Sequence, residues 1–316
     1  MKFSRVGTLV LLLIIAILGA NCSYYNRVMA RKSLVDGAKA YKGRNFEKAE
    51  ALFRQAIARD PELETIEGQT AQLFLARTIH SEYIGNRQEK PLAETAIAEY
   101  KKVLAKNLND NSSFKAIANL LENLGRDEEA FKWKLDRANN DAVPPDQRAE
   151  AFTSLAAKEN TCANDITDQE PVKKTVTKGE IAEFVFTKPE DEEVYSKLQK
   201  CIEEGTKYID RAVQLEPDDI KKPGSIDVKS RDDAQLRDLM DLVKKFQSAW
   251  SYKASLLVQK MRVADMNDNT EDEDKFKKEA ESARDKFDAL NELEKKIQDE
   301  QDARKQAEEE KANKKK

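Results

Sequence analysis

The sequence predicts an all-α protein built from repeated helical hairpins. Three observations carry that expectation. Helix breakers are scarce, apolar residues step by threes and fours between short turns, and small residues recur at equivalent places. Ten glycines and eight prolines in 316 residues, with 36% of residues charged, exclude a collagen, a Gly-rich β-barrel and a multi-span membrane protein. The length accommodates two ordinary domains or one elongated repeat array. Fifty-five basic and 59 acidic residues leave a net charge of -4, so no basic field points to nucleic acid. One histidine and three cysteines offer little material for metal or nucleophile chemistry, and no cofactor is expected.

The N-terminus reads as an export signal or anchor over residues 1–22. Lys2 and Arg5 precede a largely apolar run, Val6 to Ala20, and small residues follow. Fifteen helical residues reach about 22 Å, short of the ~30 Å hydrocarbon core. A tilted span remains open, with Tyr24 and Tyr25 at an interface. The run Leu18-Gly19-Ala20-Asn21-Cys22 resembles a bacterial lipoprotein signal, which implies lipidation of Cys22; Asn21 departs from the small residue that pattern places before the cysteine. An uncleaved anchor and a plain cleaved signal are the alternatives. All three place the folded part outside the cytoplasm, in a periplasmic or outer-membrane-associated position if the cell is bacterial.

The repeat register is set over 30–63. Leu34, Gly37, Ala38 and Tyr41 form one stripe, and Phe46, Ala49, Phe53 and Ala56 form a second. Gly43-Arg44-Asn45 separates them as a tight turn, and Asp60-Pro61 closes the second helix. The pattern recurs over 69–110, where Leu108 replaces the closing proline, and over 111–144, where Gly125 repeats the turn. A fourth unit spans 149–217, ending at Pro217, and a degenerate fifth lies within 247–297. Ala49, Ala96 and Ala130 hold equivalent places in second helices, and Ala96 to Ala130 is a step of 34 residues. Gly37, Ala76, Ala118, Ala156 and Ala254 do so in first helices; Phe114, Phe152 and Trp250 stand four residues before the last three. A 34-residue helix–turn–helix with this pattern resembles the tetratricopeptide repeat, or TPR. That resemblance implies a helical-hairpin solenoid of about five units, in which small residues let paired helices approach closely.

Two insertions interrupt the array. Residues 163–193 carry Thr175-Val176-Thr177 and Ile181 to Phe186, a short β-hairpin expected to lie on the helices through Phe184 and Phe186. Residues 218–246 hold an inserted helix from Asp232 to Phe246. Phe276, Ala280, Ala283, Phe287, Leu290, Leu293 and Ile297 then mark a long C-terminal helix, which either caps the array or pairs with another chain to make a homo-oligomer. Residues 298–316 form a charged tail.

Catalytic and metal signatures are not evident in the sequence. His80 lies on a first helix without a nucleophile elbow, and no phosphate loop or His-Glu-x-x-His motif occurs. Asp265, Asn267 and Asn269 alternate like the start of a calcium loop, but Thr270 and Phe276 break the pattern, so a polar inter-helix loop is the plainer reading. Cys162 and Cys201 fall where an antiparallel helix pair brings them together. In an oxidising compartment they are expected to form a disulfide; two separate buried thiols are the alternative. A zinc site would need two more ligands, and none are near in sequence.

TPR arrays commonly bind peptides or protein segments on the face lined by first helices, so the resemblance implies a protein-interaction scaffold. The register places Tyr41, Arg77, His80, Lys115, Asn119 and Asn160 on that face. Lys115 and Asn119 resemble part of the carboxylate clamp of some TPR modules, but Leu34 and Ala38 stand where the first unit would complete it. In outline the chain resembles TPR lipoproteins of outer-membrane assembly machines: a membrane-tethered adaptor with a protein or peptide partner. A structural spacer using the C-terminal helix and an envelope enzyme of unrecognised kind are the competing readings.

Overall fold

The computed structural model describes residues 5–178 and 181–314. For 5–22, 178, 181–183 and 314 it describes the backbone alone. Cys22, the side chains of the 1–22 segment and the Lys314-Lys315-Lys316 end therefore lie outside the described side chains. The protein is all-α, with one small two-stranded sheet among the described residues. It divides into two compact units, Met1–Ala130 and Phe131–Lys316.

The first unit packs α1 (Arg5–Lys42), α2 (Phe46–Ala58), α3 (Ile66–Gly85), α4 (Lys90–Lys106) and α5 (Asn111–Asn123) in sequence, each against the next. First helix α1 also touches first helix α3. The stripes meet as expected: Ala49, Phe53, Ala56, Ala76, Ala96, Phe114 and Ala118 are buried. Gly37 is required by close approach, because a Cβ there would lie 2.7 Å from the Phe53 ring. Asn45, Thr65 and Asp110 cap α2, α3 and α5 by accepting backbone N–H bonds. At the α1–α2 turn the left-handed residue is Arg44, with φ 59°, rather than its glycine neighbour. After α5 it is Gly125, with φ 73°. Among the described residues no helix is long and apolar enough to cross a membrane.

The second unit takes up within α6 (Asp127–Ala138) and continues with α7 (Pro145–Thr167), β1 (Lys173–Lys178), β2 (Ile181–Phe186), α8 (Glu192–Gln214), short α9 (Asp218–Lys221), α10 (Asp233–Met266) and α11 (Thr270–Lys314). Helices α7 and α8 pair, α10 packs on both, and α11 runs along α10. Three features differ from expectation. Helix α7 runs on past Cys162 to Thr167, since nothing between them breaks a helix. The helix expected to end at Phe246 runs on to Met266: no Gly or Pro interrupts 233–266, and Ala249, Leu256 and Leu257 extend the buried stripe. A boundary at 246/247 thus falls inside α10.

The third concerns the hairpin, where β1 and β2 pair antiparallel from Lys173–Phe186 to Lys178–Ile181. Among the described side chains its base is what is anchored: the Arg262 guanidinium lies 4.4 Å over Phe186, whereas Phe184 is 62% exposed with Lys173 against its ring. Two residues along a strand is roughly 7 Å, enough to lift Phe184 clear of the helix.

Helix α11 spends its apolar stripe inside the chain. Ala280, Ala283, Leu290, Leu293 and Ile297 are buried, and α10 is its partner. Pairing between chains through this helix is therefore not supported, because the surface that would drive it is covered. Asp265 lies within α10, and residues 267–269 are the inter-helix turn: Asp268 has φ 53° and Asn269 accepts from Asp272 N, capping α11. Its acidic first turn suits the helix dipole.

Candidate functional site

In the first unit, polar and aromatic side chains tie α1, α3 and α5 into one face. The Tyr41 ring packs on Phe46 and Phe74, with centroids 5.7 and 5.9 Å away. Its hydroxyl is 3.2 Å from Ser81 Oγ, which spends its own proton on the Arg77 carbonyl, so Tyr41 donates. Arg77 covers the Phe74 ring at 5.6 Å, and its Nη2 donates to Ser112 Oγ at 3.2 Å. Ser112 in turn donates to Asp110 Oδ1, which also accepts from Ser113 N. Burial would raise the Asp110 carboxyl, but these bonds and the nearby Arg77 charge hold it below its ordinary value.

His80 Nδ1 is 3.2 Å from Tyr100 Oη, and the two rings meet edge-on. Burial pushes the His80 pKa down and the Tyr100 pKa up, so both side chains are neutral at pH 7. Lys115 and Asn119 are exposed on α5, one turn apart, and the Asn119 Oδ1 accepts from Asn123 Nδ2 at 2.9 Å. Tyr41, Arg77 and His80 are thus brought together around Phe74 and Tyr100, and the Arg77–Ser112 bond extends the face to α5. Asn160 belongs to the second unit. It is buried, and its Oδ1 has no hydrogen-bond partner.

Ser81, Phe74, Ser112 and Tyr100 were not singled out from the sequence. Their signal was the helical spacing of Arg77 and Ser81, four residues apart. The partners across helices are far away in the chain and carried no signal.

The second unit has a polar pocket of about 410 Å³ between α7, α10 and α11, lined by Asn164, Ser255, Gln259, Arg262 and Arg284. Gln259 is 2% exposed; its Nε2 donates to Asn164 Oδ1 and its Oε1 has no partner. Arg262 donates to Thr167 Oγ1 at 3.0 Å and stands 3.7 Å from Asp168, with burial lowering its pKa. A more apolar pocket of about 460 Å³ includes Ile202, Thr206, Lys260, Val263 and Phe276. Burial and the Lys253 charge lower the Lys260 pKa. Cys162 and Cys201 form a disulfide, S–S 2.03 Å, joining α7 to α8. Glu159 lies beside it; burial, and then the Glu204 charge, raise its carboxyl pKa.

No family model matches the chain, and no curated protein matches it. A solved structure from work titled "Functional Characterization of Pseudomonas Aeruginosa pilF" superposes on 79% of this chain and 90% of that chain, at 17% identity and a TM-score of 0.33. Agreement that loose carries no functional inference.

Proposed function

We propose that the chain is a TPR-like protein-interaction scaffold of the cell envelope, held there by its N-terminal segment. It binds a peptide or protein segment on the first-helix face. The observation that carries this reading is the pair of links Tyr41–Ser81 and Arg77–Ser112, which join three successive first helices. A face pre-organised in this way loses little entropy on binding, and Arg and Tyr are the residue types that dominate binding energy at protein interfaces. Lys115 and Asn119 extend the face with exposed polar groups on α5. Tethering rests on the apolar run before Cys22 and the resemblance of Leu18–Cys22 to a lipoprotein signal.

The test is capture from detergent-solubilised envelope with the full-length chain as bait, its intact mass read in the same experiment. Arg77→Ala with Lys115→Ala should weaken recovery of captured proteins by about tenfold, or about 1.4 kcal/mol. The wild-type mass should show an acylated cysteine or an intact apolar N-terminus. Equal capture by wild type and variant, or a soluble chain trimmed beyond Cys22, would refute the corresponding part of the proposal.

A further inference from the structure

We propose that Cys162 and Cys201, when reduced, form with Glu159 a site for a thiolate-preferring divalent cation such as Zn²⁺, which the disulfide closes. The two cysteines alone are half a tetrahedral site. Folding adds a third ligand, because the ligand atoms of Glu159, Cys162 and Cys201 all lie within 4.8 Å of one another. With Zn–S near 2.3 Å and Zn–O near 2.0–2.2 Å, the edges of a tetrahedral site are about 3.5–3.8 Å. The sulfurs need only part from bonding distance to that edge, across helices whose Cα atoms are 6.1 Å apart at this pair.

The two helices contribute mirrored pairs, Glu159 with Cys162 on α7 and Cys201 with Glu204 on α8, each three residues apart and so on one face. Gly205 makes the close approach possible: a Cβ there would stand 3.0 Å from the Glu159 Cβ. A water completes four-coordination. Cys201 sits among Ala163, Ile166, Leu198 and Ile202, an apolar shell that strengthens attraction to the ion, while half-buried Cys162 leaves a way in. Two thiolates and a carboxylate exceed the ion's charge by one, and Lys158 and Lys200 lie near enough to offset it.

The chemistry balances with a dithiol reductant. Two electrons and two protons pass to the cysteine sulfurs, the S–S bond breaks, and the dithiol leaves as its own disulfide. The cation then displaces the two thiol protons.

The test titrates Co²⁺ into the full chain carrying Cys22→Ser, either oxidised or reduced with a dithiol that is then removed without air. Reduced protein should bind one Co²⁺ with a thiolate-to-cobalt charge-transfer band and tetrahedral visible bands, both lost on adding Zn²⁺. Oxidised protein should show neither. Cys201→Ser should abolish the charge-transfer band, and Glu159→Gln should weaken binding at least tenfold, while Glu203→Gln should not. Helicity followed by circular dichroism shows that each form is folded. A reduced wild type that unfolds or lacks the band, or a Glu159→Gln chain that binds as wild type does, overturns the proposal.

Discussion

Gly68 sits against the carboxylate of Asp60, so close that an added Cβ would lie 2.2 Å from Oδ2. That carboxylate is not free to retreat. It accepts from Glu64 N, Thr65 N and Thr65 Oγ1 at 3.0, 2.8 and 2.7 Å, fixing the corner between α2 and α3. Gly68→Ala should therefore cost about 1–3 kcal/mol despite alanine's better helix propensity. Asp60→Ala introduced with it should relieve the clash, so the double mutant is more stable than the two single losses summed. Urea denaturation of the four proteins measures the coupling. His80 gives a pH signature at the same scale. Burial lowers its folded pKa below the ordinary value of 6.5, so the unfolded chain takes up the proton first as pH falls. The stability it supports is present above pH 6.5 and declines as pH drops from there toward the folded pKa. His80→Asn should flatten the fall in urea midpoint between neutral and mildly acidic pH.

The two helix turns solve one problem with different residues. Each chain reversal places one residue in the left-handed region, Arg44 in the first hairpin and Gly125 after α5. A side chain there costs about 1–2 kcal/mol. Nothing lies within 4 Å of a Cβ built on Gly125, so substitution there meets only the backbone penalty. Arg44→Gly should raise stability by about 0.5–1 kcal/mol and Gly125→Ala lower it by about 1 kcal/mol. Both shifts can be read from thermal or urea unfolding followed by circular dichroism. Among the longer elements, α10 and α11 pack through Ala254 and Leu257 on one side and Ala280 and Ala283 on the other, with Phe276 against them. This pairing makes α11 a cap for its own chain.

For the whole molecule, stability in stacked hairpins is a sum of local terms, so a cross-link should protect its own neighbourhood first. The Cys162–Cys201 bond closes a loop with a sequence separation of 39, which corresponds to about 4 kcal/mol in the chain-entropy account. Cys162→Ser with Cys201→Ser should lower amide-exchange protection in α7 and α8 and leave α2 and α3, which belong to the other compact unit, unchanged. Mass-spectrometric exchange of the oxidised and variant chains measures this. A loss spread evenly over both units would contradict local additivity.

Much of the fold was legible in a single chain of letters. The steps of three and four that bury Ala49, Phe53, Ala118 and Leu290 are local, because a helix repeats every few residues whatever surrounds it. The small residues were legible too, since Gly37 against Phe53 reflects a contact within one hairpin. The Cys162–Cys201 pairing was accessible for a similar reason: two cysteines in neighbouring antiparallel helices have few other places to be. What could not be read was every contact whose partners are distant in sequence. The bonds Tyr41–Ser81, Arg77–Ser112 and His80–Tyr100 depend on the angle at which one helix settles on the next, and no local period encodes that angle. The same holds for Asn160 buried instead of lining an open face, and for Phe184 standing clear of α10. Helical periodicity assigned these residues to a face, and side-chain packing across helices determined what each one meets there.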